Sequence, residues 1–455
     1  MKKHLLFLAS MLMVFGSIFA QEPVKYQRSS LHMVLLTTDE PITDDPELIP
    51  LIEQAYQNYP FPDKYNNHEI DFKTANAGKP KGGLIATMNQ LWDYNTHTSK
   101  LPSTPKELKA LKEALGGGGK KYLEQLKTNI DVQIKQNDVA RKLVMKWYNI
   151  QPDGSNDANL LVERSAFNMN SSDVQTAAAT AGGAQEIVNQ VAEELINTTF
   201  VVFSKIDFYK NEATAGVTRD ITIALAKIAY QVAAQKNQNL AQIIYSAAET
   251  GAIALYEATK DGYTALTNTL LYKLKWNDSI QAVFYQCYKA DGKIDMDKFN
   301  AINFELEFIG ADNCKSSTKF AGNKGKDILV NTTIIRNLDK QFVKLQKDYE
   351  IFRPVAPIIS LDPFLADMGT KEGLSGGEKF DVLTRAIDPK TGKMVYEKVG
   401  TVKVDKKGVW DNNYNMAEGN IIVTPSPKRT EDGRNGTLLS KCKKAQMGMV
   451  VRQKK

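Results

Sequence analysis

The chain is poor in the residues that usually announce a chemistry. Its 455 residues include three cysteines, Cys287, Cys314 and Cys442, and four histidines. So few thiols cannot make a disulfide framework, and stability must come mainly from packing. There is no HExxH pair and no close His/Cys cluster, which excludes the familiar zinc spacings; the single zinc pairing worth weighing is His68 with Asp71. GxSxG is absent, and no cysteine–histidine arrangement suggests a nucleophile and its base. Beyond the N-terminus no apolar run reaches 18 residues, which excludes a spanning helix.

Three short segments come near a motif and fail on a named residue. Gly116 to Gly119 precede Lys120, but Ala114 and Lys121 stand where a phosphate loop needs Gly and Ser or Thr, so the run reads as a hinge. Leu374-Ser375-Gly376-Gly377-Glu378 is similar to the signature segment of ATP-binding cassettes. Without a Walker sequence it is a glycine turn entering a strand. Asp291-Gly292-Lys293-Ile294-Asp295 is similar to half an EF-hand, yet loop positions one, three and twelve fall on Cys287, Lys289 and Lys298, which offer no carboxylate oxygens. These exclusions leave no catalytic or metal residue to nominate, and no cofactor.

What is present begins with a tripartite N-terminus. Lys2 and Lys3 precede the apolar run Leu5 to Val14, and Ala20 ends a small-residue stretch. This is the pattern of a signal peptide over residues 1–20, cleaved after Ala20, with no cysteine next to it to carry a lipid. The mature chain is expected to be exported: periplasmic, outer-membrane associated or extracellular.

The clearest structural statement lies at Gln185 to Tyr209. Ile187, Val188, Val191, Leu195 and Ile196 keep helical spacing, then Thr199 to Phe203 turn β-branched and aromatic, and Lys205 to Phe208 alternate. A helix therefore feeds a core strand, buried on both faces at first and on one later. Further strands are expected at Ser29–Leu36, Glu69–Lys73, Leu160–Asn170, Ile302–Ile309 and Thr269–Trp276, the last with one wet face carrying Lys273 and Lys275. Residues 74–105 show no period and read as an irregular excursion. Helices are expected at Glu47–Tyr56, Tyr122–Tyr148, Asp278–Tyr288 and Asp327–Phe352, with two more from Thr218 joined near Asn237. In that pair Ile221, Leu225, Ile228 and Val232 form one face and Leu240, Ile244, Ala247 and Gly251 another. Beyond Pro354 and Pro357 the pattern becomes short strands: Phe380–Leu383, Val395–Val399, Gly400–Val404, Ile421–Val423, Leu438–Leu439 and Met449–Arg452. The fold class is α+β: repeated strand–helix–strand units with long amphipathic helices and a small C-terminal β module. The domains are an N-terminal α+β region at 21–150, a central one at 151–353, and the module with its basic tail at 354–455.

Charge is unevenly spread. Lys428 to Lys455 hold nine Lys or Arg against Glu431 and Asp432, while the rest of the mature chain is mildly acidic. Lys441, Lys443, Lys444 and Arg452 are thus the candidate contacts for anionic envelope material. Cys287, beside Val283 and Phe284, is expected to be a buried free thiol; a bridge between Cys314 and Cys442 stays open.

The segments KLVMKWYNI, EELINTTFVVFSKIDFY, LLYKLKWNDSIQAVFY and GTKEGLSGGEKFDVL with VWDN resemble parts of uncharacterised exported proteins of Gram-negative bacteria. The resemblance spans most of residues 140 to 425. It implies export and architecture and supplies no site residues. The expectation is a non-enzymatic secreted or cell-envelope protein acting through interaction surfaces, its partners envelope proteins or anionic envelope material, with no nucleic acid and no membrane span. The alternative is a hydrolase of envelope glycans or peptides using carboxylates.

Overall fold

The computed structural model describes residues 28–454, apart from most of 101–117, all of 169–182 and 320–324, and scattered positions, chiefly in 389–393 and 414–423. The expected signal peptide lies outside the described residues, as does most of Asp388-Pro389-Lys390-Thr391-Gly392, whose Pro and Gly predict a hairpin turn.

The chain opens with strand β1 (Ser29–Thr37), then α1 (Ile49–Gln57), β2 (Tyr65–Asn67) and β3 (Thr74–Asn76). A stretch read as irregular instead holds α2 (Leu84–Leu91) and a small hairpin, β4 (Trp92–Asp93) and β5 (Thr98–Ser99). Next come α3 (Gly119–Gln136), α4 (Val139–Trp147), α5 (Asn159–Asn168) and α6 (Gly183–Asn197). The helix expected over 122–148 is broken in two, because Asp138 adopts a left-handed conformation at φ 49°. The expected strand at 160–170 is a helix: Leu161, Arg164, Ser165 and Asn168 are buried at the three- and four-residue spacing of one helical face. Its Asn159 amide donates to the Asp157 carboxylate just before it.

α6 then runs almost directly into β6 (Thr199–Lys210), as its sequence implies. Two long helices follow, α7 (Asn211–Ala234) and α8 (Gln238–Thr259), before β7 (Tyr263–Leu274). The helices α9 (Asp278–Tyr285) and α10 (Met296–Ala301), strand β8 (Leu306–Thr318) and helix α11 (Lys326–Asp348) complete the main body. β8 starts later than expected and runs on through Cys314: the short helix capped by Asp295 ends at Ala301, and residues 302–305 lead from it into the strand.

The strands order as β2-β1-β6-β7-β8, with β3 also on β1. β1 is parallel to β2, β3 and β6, whereas β6, β7 and β8 are antiparallel neighbours. Residues 69–73, expected as a strand, join β2 to β3 as loop, with the Lys73 carbonyl accepting from the Leu35 amide of β1 at 2.9 Å. Helices cover both faces of the sheet. Val201 and Phe203 of β6 face a core built with α3, α4, α6 and α9, while Phe200, Val202, Ile206 and Phe208 face α1 and α11. Two readings are corrected by this. β7 has no wet face: all but Lys273 of its residues are buried, and Lys275 lies beyond its end. The second half of β6 is buried on both faces too, including Lys205 and Asp207.

The C-terminal module contains β9 (Ala356–Leu361), β10 (Phe364–Ala366), β11 (Lys379–Ile387), β12 (Met394–Lys403), β13 (Asn415–Ala417), β14 (Asn420–Ile422), β15 (Lys428–Arg429), β16 (Asn435–Leu438) and β17 (Val450–Gln453). Two short strands expected at 395–404 are one, β12. The sheet order is β12-β11-β17-β9-β10-β16-β15, and a bridge between Val404 and Leu439 curls it back on itself. It has its own apolar core, with Ile358, Phe364, Val382 and Val451 among the members. Buried Lys64 of the main body reaches across to it, donating to the Asp367 carbonyl at 3.1 Å and lying 4.0 Å from the Glu372 carboxylate. Burial by itself would lower the Lys64 pKa, but Glu372 and Asp367 outweigh it and hold the ammonium charged.

At His68 the buried polar groups are fully paired. The His68 Nδ1 accepts from the Arg164 guanidinium at 2.9 Å, so its Nε2 carries the proton and donates to the Leu143 carbonyl at 3.0 Å. Arg164 also donates to Ser30 Oγ and the Asn67 carbonyl, and its guanidinium lies over the Trp147 ring. The zinc pairing is thereby excluded: both ring nitrogens are engaged, and Asp71 points to solvent, paired with Lys142. Cys287 is a buried free thiol, as expected. Cys314 is also free, its Sγ donating to the Asn337 carbonyl, while Cys442 packs over Gly400 in the module, so the two are not joined.

Burial and the Arg164 charge push the His68 pKa down to about 3. The folded state refuses a proton that the unfolded chain accepts near pH 6.5, so this contribution is full above 6.5 and is lost as pH falls toward 3. Across that window His68 should contribute a slope of about 1.4 kcal/mol per pH unit. Urea unfolding of wild type and His68→Gln at several pH values checks this: the variant should lose that part of the slope, and equal slopes would contradict it.

Candidate interaction site

Between β6 and β7, where two antiparallel strands need only a short turn, the chain inserts α7 and α8. The base of this hairpin is firmly seated. Trp92, Tyr209, Ala213, Val217 and Leu266 form a small core with α2. The Asp220 carboxylate accepts from the Ser99 amide at 3.0 Å and from its hydroxyl, and also from Arg219 Nε at 2.7 Å. Arg219 in turn lies over the Tyr256 ring, 4.5 Å from its centroid. Gly216 is required here, because a Cβ would enter the van der Waals envelope of the Trp92 ring.

Beyond Val217 no residue of α7 is buried. The 17 remaining residues of that helix carry it about 25 Å from the body. α7 and α8 touch each other mainly through alanines and tyrosines. Ile223, Ala226, Tyr230 and Ala233 are half-buried on α7, opposite Ala241, Tyr245, Ala248, Ala252 and Tyr256 of α8. The Tyr230 and Tyr245 ring centroids are 5.9 Å apart. The large aliphatic side chains point the other way. Leu225, Ile228, Val232, Leu240, Ile243, Ile244, Ile253 and Leu255 are 43–66% exposed. They make eight of the 17 exposed large apolar side chains among the described residues, so one hairpin holds nearly half of that surface. Covering them would contribute roughly 1 kcal/mol each, since about half of each side chain is still in water.

At the base of the hairpin, against the edge strand β8, is an open cavity of about 490 Å³. Leu255, Tyr256, Ala248 and Ala252 line one side, and Thr264, Ser317, Lys315 and Lys319 another. No carboxylate or histidine lines it; its titratable side chains are Arg219, Tyr256, Lys315 and Lys319. Its hydroxyls and ammonium groups suit a polar or anionic group lying beside an apolar one.

The constellation nearest to a catalytic one is buried in the sheet. Lys205 and Asp207 pair on β6, 2% and 1% exposed. The Glu40 carboxyl, half-buried, is held above its ordinary pKa by burial, against the pull of Lys205. Burial likewise pushes the Asp207 carboxyl up, opposed by Lys205. A substrate has no path to Asp207 through layers covered on both sides, and the pair is read as a core ion pair. Among the described residues no group of three or more His, Cys, Asp or Glu is placed to hold a metal ion.

The basic residues singled out in sequence fall on two elements. Lys441, Lys443 and Lys444 are exposed in the loop before β17, with Lys441 paired to Asp362 at 3.1 Å. Arg452 lies on β17 itself, half-buried, 6.0 Å from the Tyr396 ring centroid. The structure therefore brings three of the four together. The sequence reads as two helices packed on each other and joined near Asn237, and it shows both apolar stripes; the structure leaves those stripes exposed. The available signal was that both helices also carry a second, small-residue face. No helix among the described residues is long and apolar enough to cross a membrane.

Searches among known proteins return no matching family model and no matching curated protein. The fold and this surface define only a class: an α+β protein whose sheet is covered on both faces, with a small β module and a projecting apolar hairpin.

The base and the stripe should respond oppositely to added carbon. Gly216→Val should destabilise by about 1–3 kcal/mol through overpacking on Trp92. Gly251→Ala, whose Cβ would have nothing within 4 Å, should stabilise by about 0.5–1 kcal/mol through helix propensity. Thermal unfolding of both checks the seating of the hairpin, and equal effects would contradict it.

Proposed function

We propose that this is a non-enzymatic, exported protein of the cell envelope or exterior, acting through interaction surfaces of which the α7–α8 hairpin is the principal one. The observation that carries the reading is the concentration of exposed aliphatic side chains on one projecting element. Apolar surface gathered in this way marks a binding site, whereas single exposed apolar residues are ordinary. Two further features support it. The cavity beside the hairpin lacks carboxylates, and the buried Asp207 carboxylate lies within a sheet covered by helices on both faces. Export rests on the tripartite N-terminus and on the resemblance of the central segments to exported proteins.

A photo-cross-linking residue placed at Ile228 in producing cells should give adducts concentrated there, and few at the exposed control Lys298. Equal labelling at both positions would remove the hairpin from the reading. Turnover of envelope glycan or peptide by the purified chain, abolished by Glu40→Gln or Asp207→Asn, would replace it with the hydrolase alternative.

The basic loop adds a second contact, for anionic envelope material. Replacing Lys441, Lys443 and Lys444 by Gln should weaken binding to lipopolysaccharide and flatten its dependence on salt. Unchanged binding through a salt series would leave the loop only a role in solubility.

A further inference from the structure

We propose that the cavity at the base of the α7–α8 hairpin binds a single-chain amphiphile with an anionic head. Its chain lies along the groove beside the two helices, and its head sits on Lys315 and Lys319. The site does not depend on what the outer stripes bind.

The lining sets the shape of the ligand. On α7 it runs from Asn211 to Thr222 and on α8 from Thr259 back to Ala248, at the three- and four-residue spacing of one helical face. Eleven steps along each helix make a groove about 16 Å long. The hydrocarbon of half a bilayer is about 15 Å thick, so an acyl chain of ordinary length fills the groove. A volume of about 490 Å³ lies within the range of small-molecule sites.

The walls are apolar in effect, although threonines contribute to them. Ala248, Gly251, Ala252 and Leu255 form the α8 side, and a Cβ on Gly251 would meet nothing within 4 Å. Thr214, Thr222 and Thr259 spend their hydroxyl protons on the carbonyls of Asn211, Thr218 and Leu255 in their own helices. At the base, the Asn211 amide nitrogen donates to the Asp261 and Thr318 carbonyls, so its Oδ1 must accept from Thr264. Ser317 therefore donates to Thr264, and its proton is spent as well. A saccharide, which needs donors and acceptors along its length, would find few donors here.

The free charged donors are at one end. Arg219 is already engaged by Asp220 and the His97 carbonyl. Lys315 and Lys319, on β8 and just beyond it, have no carboxylate partner among the described residues. The Lys315 ammonium lies 5.9 Å from the Tyr209 ring centroid, and desolvation lowers its pKa with no acidic group opposing the shift. An anionic head supplies the missing counter-charge to both, and the cavity wall offers no carboxylate to repel it.

Isothermal titration of the full mature chain with dodecanoate, below its micellar concentration, tests the proposal. One molecule should bind per chain at micromolar affinity. Butyrate and dodecyltrimethylammonium, which lack the long chain and the negative charge respectively, should not bind at the same concentrations. Lys315→Gln with Lys319→Gln, and separately Gly251→Leu, should each weaken dodecanoate by about tenfold or more. All three positions are exposed, so unchanged circular-dichroism melting shows that folding is intact. Dodecyl phosphate binding more tightly than dodecanoate supports a phosphate head, and the reverse a carboxylate; both keep the proposal. Binding of neither, equal binding of butyrate or of the cationic amphiphile, or affinity unchanged in either variant overturns it.

Discussion

Strand β6 has no side in water, and the main body is arranged to make that possible. Its twelve residues alternate between two apolar cores, so helices must cover both faces of the sheet along its whole length. Burying both faces also encloses Lys205 and Asp207 two residues apart on the same side of the strand. Neither charge would be tolerated there alone, and each is the other's reason for staying. The buried pair holds the strand in one register, since a slip of one residue would exchange the two cores.

The same logic explains the polar interior around His68. Arg164 would be costly to bury unpaired, but α5 directs it at Ser30, the Asn67 carbonyl and a histidine locked in one tautomer. Burial lowers the Arg164 pKa to about 10, still far above neutrality, so the guanidinium stays charged while the imidazole stays neutral. Here α5 and the loops at the ends of β1 and β2 are joined by hydrogen bonds where apolar contact alone would leave polar groups stranded.

The α7–α8 hairpin inverts the usual arrangement. Alanines and tyrosines, with Ile223, lie between its helices and most of its leucines and isoleucines face outward, whereas a solitary hairpin gains stability by the reverse. The base of this one is seated in the body, and its shaft carries the exposed apolar side chains. The C-terminal module is attached differently, by charge and hydrogen bonds: Lys64 with Asp367 and Glu372, Arg353 with the Gln453 carbonyl, and Arg385 with Glu194.

The period of apolar residues by itself determined the long elements. α6 into β6, α11 along Ile334, Leu338, Phe342 and Leu345, the paired helices after Thr218 and the change to strands beyond Pro354 all follow from spacing, which local backbone geometry imposes. Spacing failed where a short segment fits two periods, and so α5 was taken for a strand. It also failed at Lys205, Asp207, Arg164 and Lys273, because a charged side chain in sequence reads as solvated. Arg164 is admitted by partners 96 to 134 residues away, and Lys205 and Asp207 by each other within a strand that distant helices cover on both faces, and no local pattern records that enclosure. The candidate surface divides along the same line. Sequence alone shows that α7 and α8 each carry an apolar stripe; which face of each helix meets the other, and so which stripe is left in water, is set by packing. The Ala and Tyr faces close on each other because small residues let two backbones approach, and that geometry, not hydrophobicity, leaves the large side chains outside.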